Sequence, residues 1–162
     1  WEAALSLNTQ SRELARGAHD LRSEAIALEN LALTHIGLDA FRDSRRALRA
    51  ARQIAERIGD RERLFSLELV EIETLLEQEK LEGLIERLRK AARRLRETAD
   101  PAEAPRLLRL RAHAEVLSGD AKKSRTAVEK ALREARKQKN IPEEKRILAL
   151  RKKAQLLGRS NG

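Results

Sequence analysis

The 162-residue chain contains no cysteine and no tyrosine, and aromatic residues make up 2% of it. Without cysteine there is no disulfide framework and no thiolate cluster for zinc. Scarce aromatics leave few faces on which nucleic-acid bases could stack and little material for a tight organic pocket. Only 7 Gly and 3 Pro interrupt the chain, and β-branched runs of strand length are missing. No apolar run approaches the roughly 18 residues that a membrane-spanning helix needs. The N-terminus lacks the charged-then-apolar pattern of a signal peptide. A cytoplasmic helical protein is the expectation. Trp1 stands in mid-pattern, so the chain reads as a fragment of something longer.

What is present is helix-forming. Ala, Leu, Arg and Glu dominate, all strong helix formers. Charged residues at 38% would favour disorder, but 41% hydrophobic residues in regular spacing predict an all-α fold. The net charge of +9 is unevenly distributed. Residues 1–80 hold 12 Lys+Arg against 15 Asp+Glu, and residues 81–162 hold 23 against 11.

The spacing has a period of 40. Breaks fall at Asp20, Asp60, Asp100 and Asn140, residue types that cap the free N–H groups of a following helix. A second set lies half a period away, at Gly37-Leu38-Asp39, Glu79-Lys80 and Ser118-Gly119-Asp120. Each unit is therefore two helices. The A helices are expected at 21–37, 61–78, 101–117 and 141–157, and the B helices at 1–17, 40–58, 81–98 and 121–138. Pro101 and Pro142 lie at first-turn positions, where a proline costs no hydrogen bond. The expected organisation is one domain, 1–158: a half unit to about residue 20, units 21–60, 61–100 and 101–140, and a final helix 141–157. Residues 159–162 form a polar tail.

Columns of small and apolar residues support this phase. In the B helices they read Ser11/Ala51/Ala91/Ala131, Ala15/Ala55/Leu95/Ala135 and Asn8/Leu48/Leu88/Val128. In the A helices they read Ala27/Leu67/Leu107/Ile147, Asn30/Val70/Leu110/Leu150 and Thr34/Thr74/Ala114/Ala154. Spacings of three and four put each set on one helix face.

The Gly119-Asp120 turn, small Ser124, Val128 and Ala131-Leu132, echoed by Ser44, Leu48 and Ala51, resemble the tetratricopeptide repeat family. The period is longer than is common there and the aromatic helix-A positions are mostly missing, as in variant arrays of bacterial signalling proteins and transcription regulators. The resemblance implies an α-solenoid of about eight helices, wound as a right-handed superhelix, with a concave groove lined by A helices.

In residues 61–78 the polar line Ser66, Glu73 and Glu77 runs between two apolar stripes, as a groove-facing line should. Shifting by 40 gives Arg106 and His113 with Arg109 at the edge, then Arg146 and Lys153; Glu29 contributes from the preceding helix. This strip is expected to bind a protein, a peptide or another domain of the same chain, charge setting orientation. A second expectation is nucleic-acid binding along a basic B-helix ridge, residues 87–139. It comprises Arg87, Lys90, Arg94, Lys122, Lys123, Lys130 and Lys137. Cations surround these helices, alternating with Glu86, Glu129 and Glu134. A solenoid beginning at a B helix leaves Leu5, Leu7 and Leu14 uncovered, a face expected to self-associate or meet preceding chain.

No enzyme is expected. His19, His35 and His113 fall in different units without the paired spacing of a zinc site. The glutamates of 68–79 lack the Glu-x-x-His pairs of a bundle metal centre. There is no phosphate loop or nucleophile elbow, and no cofactor or membrane contact is expected.

Overall fold

The computed structural model describes residues 1–98 and 101–160; the expected break at Asp100 lies outside them. The described residues form eight α-helices and no strand. They are α1 (Glu2–Gly17), α2 (Leu21–Gly37), α3 (Phe41–Ile58), α4 (Arg61–Glu77), α5 (Leu84–Thr98), α6 (Ala104–Leu117), α7 (Ala121–Lys137) and α8 (Ile141–Ser160). Three bounds differ from expectation by more than one residue. α5 starts at Leu84 rather than 81 because Gly83, at φ +67°, turns the chain first. α6 starts at Ala104 rather than 101, with Pro105 rather than Pro101 in its first turn. α8 continues to Ser160, beyond 157.

The junctions keep time more strictly than the sequence does. His19, Asp39, Gly59, Glu79, Gly119 and Lys139 all adopt left-handed backbone, with φ between 54° and 79°. Their numbers differ by multiples of 20, although glycine occupies only two of them. At position 19 the motif closes in full: the His19 amide donates to Arg16 O at 3.1 Å, and the Asp20 amide to Ala15 O at 2.9 Å. The same six-residue closure recurs through the amides of Ala40, Asp60 and Asn140.

Those closing residues also open the next helix. Asp20 Oδ1 accepts from the Ser23 amide, Asp60 Oδ1 from the Arg63 amide and Asn140 Oδ1 from the Glu143 amide. One residue thus satisfies two helix ends, and the link shrinks to almost nothing. Ala40 has the backbone for this role but no side chain to perform it. Ala40→Asp is therefore expected to stabilise the chain by about 1 kcal/mol, read as a higher urea midpoint.

Two of the caps make stability acid-sensitive. The Ser23 hydroxyl and amide hold the Asp20 carboxyl below its usual range, and the Lys123 amide and ammonium do so for Asp120. A carboxyl lowered in the fold stabilises it fully at neutral pH, and that contribution disappears as pH falls through the lowered value. Helicity followed by circular dichroism should fall in acid below about pH 4. It should fall less in Asp20→Asn/Asp120→Asn, which keeps both caps without a titrating group.

The chain divides into two compact units, Trp1–Glu77 and Gln78–Gly162. In the first, α2 packs on α1, α3 and α4, and Leu28, Leu31, Leu48, Leu67 and Val70 form its core with Ala51 and Ala55. In the second, α6 packs on α5, α7 and α8, around Val128, Leu132, Ile147 and Leu150 with Ala131 and Ala135. The fully buried alanines let helix axes approach closely while the branched residues fill the remaining volume. Asn30 departs from its column: it is exposed where Val70, Leu110 and Leu150 are buried. Leu5 packs against the first core, whereas Leu7 and Leu14 stand exposed on α1.

Trp1 lies over Gly37 at the end of α2, where any Cβ would overlap the indole. Gly37→Ala is expected to displace the ring. The single tryptophan's emission should shift red and become easier to quench, with helix content unchanged.

Candidate binding surfaces

The polar line of the A helices is largely closed. Glu29, Ser66, Glu73, Arg106, Arg109 and His113 are buried; Glu77, Arg146 and Lys153 are exposed. The expectation of a solvent-facing strip is corrected for the first six. For Glu29, Ser66 and Arg109 the reason is that successive A helices pack together, α2 on α4 and α6 on α8, so the strip lies in a helix seam.

In that seam the charges answer one another. Glu29 on α2 accepts a hydrogen bond from Ser66 Oγ at 2.5 Å and pairs with the Arg63 guanidinium, both on α4. In the second unit Arg109 Nε on α6 donates to Glu143 Oε2 on α8 at 2.7 Å, and Arg146 Nη1 lies 3.4 Å from Glu143 Oε1. Glu29 and Arg109 are 80 residues apart, as are Arg63 and Glu143, and Ser66 and Arg146. The same seam position holds the same ion pair with its polarity reversed. Such pairs fix helix register, because removing one charge strands the other in low dielectric. Further out, Arg52 on α3 reaches Glu71 on α4 at 2.7 Å.

The second unit carries a different surface. Among the described residues α5 and α7 do not pack on each other, although both flank α6. Two hollows result. One, of about 320 Å³, lies between α5 and α6, lined by Ile85, Leu88, Arg89, Ala92, Arg93, Arg96, Arg111, Ala114 and Glu115. The other, of about 530 Å³, lies between α6 and α7, lined by Leu108, Arg111, Glu115, Asp120, Lys122, Lys123, Thr126, Ala127 and Lys130. Arg111 and Glu115 line both, so the two hollows adjoin at α6 as the two halves of a cleft.

Its cations are mostly uncompensated. Lys123 Nζ sits 3.0 Å from Asp120 Oδ2, which holds the ammonium above its usual pKa, and Arg89 lies 3.6 Å from Glu86. Arg93, Arg96, Arg111, Lys122 and Lys130 have no ion-pair partner among the described residues.

The cleft takes in part of the expected basic ridge. Lys122, Lys123 and Lys130 line the cleft, but Arg87, Lys90, Arg94 and Lys137 do not. On α5 the cleft takes Arg89, Arg93 and Arg96, two or three residues on from Arg87, Lys90 and Arg94, and Arg111 comes from an A helix. The available signal was the apolar series Ile85, Leu88 and Ala92, whose spacing of three and four marks the side on which α5 meets α6.

His19 occupies a left-handed junction and His35 the last turn of α2, while His113 is buried within α6. Among the described residues no cluster of His, Asp and Glu could hold a metal ion, and no helix is long and apolar enough to cross a membrane. No protein-family model, curated protein sequence or solved structure matches this chain.

Proposed function

We propose that the chain is a non-catalytic helical-repeat scaffold that binds another protein, or another domain of its own chain, within a regulatory or signalling assembly. The observation that carries this reading is the contrast between the two charged surfaces. In the A-helix seams, ion pairs join neighbouring helices. Around the cleft of the second unit, five cations remain without counter-ions. Charge that holds no helix together is available to a partner. A tetratricopeptide-like right-handed solenoid accounts for the 40-residue recurrence, and a cytoplasmic setting fits the absence of cysteine.

The test is site-specific photo-crosslinking from Lys130 in the cleft and Lys153 on α8, with exposed Arg45 on α3 as control. A defined protein adduct at either site and none at Arg45 is the expected result. No adduct at any position, in this chain or a longer parent chain, overturns the reading. The same uncompensated cations favour nucleic acid as a second reading. It requires affinity for DNA or RNA that falls steeply with salt, and a flat log–log slope excludes it.

A further inference from the structure

We propose that the α5–α6–α7 cleft binds a short acidic, amphipathic segment of a protein partner, its carboxylates meeting Arg93, Arg111, Lys122 and Lys130. The proposal deepens the scaffold reading and rests on it. Four features define the occupant.

The first is charge. The unit containing the cleft, Gln78–Gly162, holds 24 Lys+Arg against 12 Asp+Glu, and its unpaired cations converge from three helices. Arginine guanidinium groups take carboxylates in a two-point grip, which suits Asp and Glu side chains.

The second is the apolar lining. Ile85 is 62% exposed at the α5 wall, and the half-buried Ala92, Leu108, Ala114 and Ala127 continue that surface. A purely polyanionic ligand would leave it wet. A segment with aliphatic side chains on one face would cover it, gaining apolar burial alongside charge pairing.

The third is the placement of acids within the cleft. Glu115 lines both hollows and Asp120 lines the one between α6 and α7. A phosphate backbone following the cleft would run over both carboxylates, whereas a peptide can set an amide or a cation there.

The fourth is aromatic content. Trp1, Phe41 and Phe65 are the chain's aromatic residues, and all belong to the first unit. The cleft therefore offers bases no aromatic face to stack on. Together these features favour protein over nucleic acid.

The experiment uses the full chain and fluorescence anisotropy. The probe is a fluorescein-labelled 16-residue peptide (about 24 Å as a helix) with glutamates on one face and leucines on the other. Two altered peptides replace Glu by Gln or Leu by Ser, and a single-stranded oligothymidylate is the nucleic-acid arm. The acidic amphipathic peptide should bind, and each altered peptide should bind about tenfold more weakly or worse. Arg93→Glu/Lys122→Glu should abolish binding, while the milder Arg93→Gln/Lys122→Ser weakens it in part, both with unchanged circular dichroism. Arg45→Glu/Arg49→Glu on α3 should leave affinity unchanged.

Failure of the acidic peptide to bind overturns the proposal. So does equal loss from the α3 variant, or tighter binding of the oligothymidylate. A protein crosslinked at Lys153 beside a cleft that ignores the peptide would sink this proposal and leave the scaffold reading standing. No adduct anywhere would sink both.

Discussion

Glu143→Ala is expected to destabilise the second unit by about 3–5 kcal/mol, a large share of what holds a small helical domain together. The carboxylate is buried, accepts from Arg109 Nε at 2.7 Å and lies near Arg146. Its removal leaves the Arg109 guanidinium in the α6–α8 seam without that partner, and a cation in low dielectric costs far more than the pair contributes. The first unit supplies the rescue. There the equivalent positions hold Glu29, Arg63 and Ser66, with the charges exchanged and a hydroxyl in place of Arg146. Arg109→Glu/Glu143→Arg/Arg146→Ser rebuilds that arrangement and should recover most of the loss in urea unfolding followed by circular dichroism. A triple variant no more stable than Glu143→Ala would show that the two seams are not equivalent.

Leu67→Ala should cost about 2–5 kcal/mol. Leu67 is fully buried in the first core among Leu28, Leu31, Leu48 and Val70. Alanine is tolerated at the corresponding position of α2, Ala27, but truncation at position 67 leaves a cavity that close-packed neighbours fill only in part. Trp1 fluorescence and circular dichroism together read the result. A change below about 1 kcal/mol would mean that the core relaxes around the truncation.

The helices were legible in the sequence because their ends are chemically marked. Asp20, Asp60, Asp120 and Asn140 announce a cap whatever surrounds them, and all four accept the expected amide. The starts of α5 and α6 were less legible: Gly83 and Pro105 act through local backbone geometry that a 40-residue period averages away. The A-helix strip failed for a different reason. Periodicity identifies a polar line but not what covers it, and Glu29 and Ser66 satisfy each other across 37 residues, a separation invisible within one helix. The cleft was half legible. Its α7 lysines were found, but cations surround α5, so only the contact with α6 selects Arg89, Arg93 and Arg96.

The twenty-residue beat of left-handed junctions also has a consequence for how fast the chain folds. The seam bonds of both units span only 34 to 37 residues, and five of the helix-to-helix links are only two or three residues long. Loop closure is therefore cheap in entropy at those steps. A topology this local belongs with the rapid helical folders, reaching the native state in microseconds to milliseconds. Growth by whole hairpins would lengthen such a chain without adding a slower step to its assembly.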